Sequence, residues 1–219
     1  VTRSTKTRLL DHAERLFAER GVATTSVRDI VTAARANLGA ITYHFDSKDA
    51  LVRAVIERRL LPLNEERLRL LEAAEAEAGD SPPTLEAILH AVFAPTIRLW
   101  RENPGFMRMV GRMHAEPDAT LKKCAEAAPL FRRVFRAIAR AVPELPEDEL
   151  VWRLHFMKGA MIHTWTGADR LAALSGVSLP TSDDDAIVRR LVTFGAAGLR
   201  APVETPGHRR PRRRKETAS

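Results

Sequence analysis

Cysteine is almost missing from this chain: Cys124 stands alone among 219 residues. One thiol cannot build an intrachain disulfide framework, so a packed core must hold the fold, and a reducing, cytoplasmic setting is expected. Aromatic residues are also scarce, at 5%, while alanine and leucine abound, and no run of β-branched residues alternates with period two. Both absences point to an all-α protein. No stretch of about 18 apolar residues is present, which excludes a membrane-spanning helix, and no basic-then-apolar leader opens the sequence.

Patterns that carry catalysis or bind metal are lacking as well. His155 and His163 are eight residues apart, too far for a two-histidine pair at i, i+4 spacing. With no cysteine or carboxylate cluster at ligand spacing, no metal site is expected. There is no glycine-rich phosphate loop, no Ser/His/Asp-type constellation and no pair of acids in an apolar setting. The chain is expected to be neither an enzyme nor a cofactor carrier.

What is present begins with a 45% hydrophobic content, enough for a sizeable core in one large or two small domains. The net charge of +7 is unevenly spread. Residues 1–60 carry 11 Lys/Arg against 7 Asp/Glu, residues 61–203 carry 18 against 19, and residues 204–219 carry 6 against 2. A basic head and a neutral body suit a protein whose N-terminal part meets a polyanion.

Thr24 to Lys48, TTSVRDIVTAARANLGAITYHFDSK, reads as two short helices meeting at a tight turn. Thr24, Thr25 and Ser26 supply hydroxyl caps, and Val27, Ile30 and Val31 give the first apolar face. After the Arg35-Ala36-Asn37 break, Leu38, Ile41 and Phe45 give a second. Asn37, Gly39, Ala40, Thr42, Tyr43 and His44 point the other way. A surface helix normally shows long charged side chains. This face of small, hydroxyl, aromatic and imidazole groups suits close approach to a groove with hydrogen bonds to bases or phosphates. An ordinary helical hairpin in an all-α protein fits the pattern alone equally well.

The wider stretch LLDHAERLFAERGVATTSVRDIVTAARANLGAITYHFDSKDALVRAV resembles the DNA-binding domain of TetR-family transcriptional regulators over roughly the first 55 residues. The resemblance rests on LFAERG closing a first helix, TSVRDI opening the second, YHF in the recognition helix and SKDAL opening the fourth. It departs from the family at two points. Arg35 stands in a turn that often holds glycine, which predicts an unusual backbone angle there. Leu38-Gly39 replaces a commoner Ser-Lys pair, removing a positive charge from the start of the recognition helix. The resemblance implies that Thr25, Ser26, Arg28 and Lys48 position phosphates, and that Asn37, Leu38, Gly39, Ala40, Thr42, Tyr43 and His44 face the groove. Arg3, Lys6 and Arg8 read either as an arm near phosphates or as a solvated end.

Three regions follow from this reading: residues 1–48 as the helix-turn-helix domain, 49–203 as a larger helical effector-binding and dimerisation domain, and 204–219 as a disordered basic tail. About nine helices are expected in all. Leu51, Val55, Leu60, Leu63, Leu68 and Leu71 continue the fourth helix, and Pro62 should kink or interrupt it. Thr84 caps a fifth, ended by Asn103-Pro104-Gly105, and a short Met-rich helix follows. Asp118 is expected to open a helix towards Ala141 that bends at Pro129. Pro146 and Ser182 precede the two last helices.

Trp100, Phe106, Met109, Val110, Met113, Phe131, Phe135, Phe156 and Met157 are candidates to line an apolar effector pocket, as methionine adapts to irregular apolar ligands, although for any single one of them a plain core position is the better reading. Gly159, His163, Gly167, Phe194, Gly195 and Gly198 lie on two helices with unusually small side chains, expected to pair with their twofold mates in a homodimer. The segment VWRLHFMKGAMIHTWTG, with NLGAITYHF and FMRMVGRM, is similar to the fatty-acid-responsive PsrA-like branch of the family. That similarity implies an acyl effector whose carboxylate or coenzyme A phosphates meet Lys158, Arg98 or Arg108. The expected function is a ligand-responsive repressor that binds a palindromic DNA operator as a dimer, with no membrane partner. A helical protein-interaction module without DNA binding and a small all-α enzyme on a hydrophobic substrate remain alternatives.

Overall fold

The computed structural model describes residues 4–115, 128–178 and 182–203. Among them are nine α-helices and no strand: α1 (Thr5–Arg20), α2 (Val27–Ala33), α3 (Gly39–Phe45), α4 (Lys48–Ala78), α5 (Leu85–Glu102), α6 (Pro104–Ala115), α7 (Ala128–Ala141), α8 (Glu147–Ser175) and α9 (Asp184–Arg200). Asp118, Cys124 and the tail from Glu204 lie outside the described residues, as do the readings placed on them. No described helix is long and apolar enough to cross a membrane.

Helix boundaries follow local chemistry. Ser4, Ser26, Ser47, Thr84 and Asp183 each accept a hydrogen bond from the backbone N–H three residues on. Gly21 closes α1 with φ +91°, a conformation open to glycine and costly for other residues. Pro62 does not interrupt α4. The helix runs through it, with the proline ring exposed, so water can reach the carbonyl that the missing N–H leaves free. Pro129 sits in the first turn of α7, where a missing N–H costs nothing, so no bend is needed there.

Two apolar cores organise the chain. The first joins Leu9, Ala13, Leu16 and Phe17 of α1 with Ile30, Ile41 and Phe45, then Leu51, Val52, Val55 and Ile56 of α4. It continues without a break into Phe106, Met107, Met109, Val110 and Met113 of α6 and Trp165 of α8. The second gathers Leu71, much of α5, Ile138, Leu150, Met157 and the inner face of α9. Trp100 and Met161 touch both. Position 48 is therefore no boundary in the packing, because α4 belongs to the head at one end and to the body at the other.

Polar contacts bind the head to that frame. Arg58 of α4 pairs with Asp11 (2.7 Å) and Glu14 of α1, and Arg59 pairs with Glu14 at 3.0 Å. Burial works against the charge on Arg58, but the hydrogen bonds and charges of Glu14 and Asp11 outweigh it and raise its pKa. Arg112 of α6 donates to the carbonyls of Phe17 (3.2 Å), which also accepts from the Gly21 N–H, and Ala18, in the last turn of α1. Arg153, buried in α8, does the same for α9 through Gly198 (2.9 Å) and Leu199 (3.2 Å).

Candidate DNA interface

α2 is fixed by a reciprocal cap. The Ser26 hydroxyl accepts from the Asp29 N–H at 3.1 Å, and the Asp29 carboxylate accepts from the Ser26 N–H at 2.8 Å and its hydroxyl at 2.6 Å. The Ser26 hydroxyl and backbone bonds hold the Asp29 carboxyl below the usual carboxylate range. The turn then passes through Arg35 at φ +49°, the unusual angle that its replacement of glycine predicts. Arg8 of α1 reaches across to the Ala34 carbonyl at 3.2 Å, so this basic residue also ties the turn to the first helix. Asn37 accepts from the Ala40 N–H at 2.9 Å and starts α3, leaving its amide N–H groups for an outside partner.

α3 buries Ile41 and Phe45 and turns Thr42 and Tyr43 outward. Tyr43 is 84% exposed, with the His44 ring edge-on at 4.8 Å. Asn37 and Gly39 are exposed, while Ala40, His44 and Lys48 are half-buried. Leu38, read as part of the second apolar face, is exposed instead, because it precedes the first turn and points away from the head core. Ser26 and Arg28 are exposed on α2. Thr25 is a correction: its side chain is fully buried and its hydroxyl donates to the Gly21 carbonyl at 2.7 Å. It closes the turn after α1, and its hydroxyl has no free path to a phosphate. The N-terminal lysine Lys6 lies 5.9 Å from the centre of the Phe45 ring, which brings its charge beside α3.

The residues read as an effector pocket divide between the two cores and the surface. Phe106, Met109, Val110 and Met113 are buried in the head-side core, and Met157 is buried in the other. Trp100 and Phe135 are half-buried, and Phe131 and Phe156 are exposed on the surfaces of α7 and α8. Their shared apolar periodicity reflects two separate cores and two outer faces. An open cavity of about 390 Å³ lies between α1, α4 and α6; of the predicted effector contacts its walls include Phe106 and Arg108, and charged side chains such as Asp11, Glu14 and Arg59 dominate. Of the expected anion anchors, Arg98 faces Glu66 at 3.7 Å, and Lys158 and Arg108 are exposed.

The small-residue helices divide in the same way. Gly195 faces inward, where an added Cβ would sit 2.8 Å from the Met157 sulfur and 3.1 Å from Leu89. Gly167 makes room for the His163 ring of its own helix. These two glycines serve packing within the chain. Gly159 and Gly198 have open space before them, and Phe194 is 64% exposed. Trp152 and Phe156 stack at 5.8 Å and are also exposed, features that glycine spacing alone did not single out.

Comparison with known proteins adds two family matches. Residues 9–55 match the model of bacterial regulatory proteins of the tetR family, and residues 87–198 match the tetracyclin repressor-like C-terminal domain. The chain belongs to the TetR family. Among its relatives, the transcriptional repressor KstR2 of Rhodococcus jostii is 40% identical over 84 residues, 38% of this chain and 39% of that protein. The regulator TtgR of Pseudomonas putida is 37% identical over 78 residues, 36% of this chain and 35% of its own length. The chain thus spans about two-fifths or less of these two relatives. A TetR-family regulator from Bordetella parapertussis shares the fold over 89% of this chain and 95% of its own, with TM-score 0.65 and 18% identity.

Proposed function

We propose that this TetR-family chain is a dimeric, ligand-responsive transcriptional repressor that reads a palindromic operator with α3. The observation that carries the reading is Tyr43, 84% exposed in the middle of a face built from Asn37, Gly39 and Thr42. An aromatic ring left in water on a short helix, among groups too small to cover it, suits a groove that admits the helix closely. Ser26, Arg28 and Lys48 flank that face and would hold phosphates, joined by Lys6, whose charge lies beside α3, and by the exposed Arg35.

Dimerisation is supported by α8 and α9. Met157 meets Gly195 and Arg153 reaches Gly198, so the two helices lie side by side and present Trp152, Phe156, Phe194 and Gly198 outward. One recognition helix reads only a few base pairs, and a twofold pair reads a palindrome. α4, about 46 Å long at 1.5 Å per residue, joins the head core to the body core. An effector that reshapes the body would move the head through it, and by linkage must bind the DNA-free state more tightly.

The test is a fragment selection from genomic DNA followed by titration of the selected site. Tyr43→Ala should weaken binding by about 10- to 100-fold, the worth of one good base contact, with the dimer intact. Equal affinities of the variant and the parent would overturn the proposed role of α3.

A further inference from the structure

Arg67 is an arginine of the body that the fold surrounds with neutral partners. It lies on α4 between Leu63 and Leu71, one turn from each, on the stripe that faces α5. Its partners are all neutral: Nε donates to the Val92 carbonyl at 3.3 Å, Nη1 to the Asn64 amide oxygen at 3.2 Å and Nη2 to the Thr96 hydroxyl at 2.7 Å. Several other guanidinium groups have acids instead. Arg69 pairs with Glu66, Arg101 with Asp184, Arg133 with Glu72 and Glu75, and Arg200 with Glu86. No described carboxylate pairs with Arg67, and desolvation pushes its pKa down to about 10, the mark of a charge held without a counter-ion.

A guanidinium carries five N–H donors. Three are used here, one from each nitrogen, which leaves one on each terminal nitrogen. Two such donors are what a carboxylate or phosphate needs for a two-pronged pair. The residue as a whole is half-buried rather than sealed. Val92 and Thr96 lie on α5 two turns and one turn, respectively, before Trp100, which bridges the two cores.

We propose that Arg67 is the anchor for the acidic end of the effector, an apolar molecule terminating in a carboxylate or phosphate, with Thr96 and Asn64 holding the guanidinium in place. This rests on the ligand-responsive reading above and replaces Lys158, Arg98 and Arg108 as its anion contact.

Thermal unfolding of the full chain tests it, using straight-chain carboxylates of eight to sixteen carbons, the alkyl phosphates and the primary alcohols of equal length. At concentrations well above the dissociation constant, a matching acid should raise Tm by about 5 °C and the alcohol by less than half of that. The acid class that shifts Tm more identifies the headgroup. Arg67→Met should respond equally to acid and alcohol. Should Arg67→Met fail to fold, Arg67→Lys carries the test: it keeps the charge without the fork and should weaken acid binding about tenfold. A folded Arg67→Met that still prefers the acid, an Arg67→Lys that binds acid as tightly as the parent, or a parent chain that no acid in either series shifts, overturns the proposal. The readout needs no DNA. Loss of operator binding with acid preference intact would fault the DNA reading alone, and the reverse would fault the anchor alone.

Discussion

The head and the outer face of the body both leave aromatic side chains in water, but in opposite company. Around Tyr43 are Asn37, Gly39 and Thr42, small or polar groups on a short helix with basic residues at its margins. Around Phe156 and Phe194 are Trp152, Val151, Gly159 and Gly198, with open space before both glycines. The first surface suits a polyanion with a narrow groove, the second another apolar surface. Exposure of an aromatic ring therefore does not by itself name the partner. Its neighbours do.

The strongest way to break the comparison is to place charge on the second surface and none on the first. Trp152→Glu with Phe194→Glu should abolish self-association at micromolar concentration, a loss of about 4 kcal/mol or more if both rings are buried anchors, read by sedimentation. Each isolated head should still bind a half-site weakly. A dimer that persists would move the interface elsewhere.

A smaller effect separates the glycines. Gly195→Val should cost about 2 kcal/mol of folding stability through overpacking, because Met157 and Leu89 already fill that space. Gly198→Ala should leave the fold unharmed, or steady α9 by about 0.5–1 kcal/mol, and act only on association. Denaturant unfolding and sedimentation of both variants distinguish the roles. If the two glycines behave alike in both measurements, the division into inner and outer faces is wrong.

The smallest effect belongs to the cap that aims α2. Ser26→Ala should cost about 1 kcal/mol. Because the Asp29 carboxyl titrates below its ordinary value, first through the Ser26 hydroxyl and then through the Ser26 backbone bond, its stabilisation is complete above the ordinary carboxylate range. That contribution fades as the pH falls through the depressed value. Ser26→Ala should therefore flatten the acid limb of the stability curve, and an unchanged limb would show that the cap is not the source.

Much of this molecule is legible in its sequence because much of it is local. Helix ends are set by side chains three residues away, so Ser26, Thr84 and Gly21 announce α2, α5 and the end of α1. Arg35 announces its own positive φ, since the turn geometry outlasts the loss of glycine. Buried stripes such as Leu9, Ala13, Leu16 and Phe17 follow the helical period. The buried pair Ile41 and Phe45 of α3 was readable for the same reason, whereas Thr25 before α2 and Leu38 before α3 show where one residue of register decides between core and solvent.

What only the tertiary structure decided depends on distant pairs. Periodicity says that Phe106, Met113, Phe135 and Phe156 have apolar neighbours, but not that they belong to different cores and surfaces. Nor can a glycine declare whether another helix of its own chain, as at Gly195, or open space, as at Gly198, lies beyond it. Arginines show the limit most clearly. Arg58 neutralises acids 44 and 47 residues away, Arg112 and Arg153 cap the ends of other helices, and Arg67 is left half-buried with neutral partners alone. A long flexible cation takes its role from whatever the fold brings within hydrogen-bonding reach, and that is written in no local stretch of sequence.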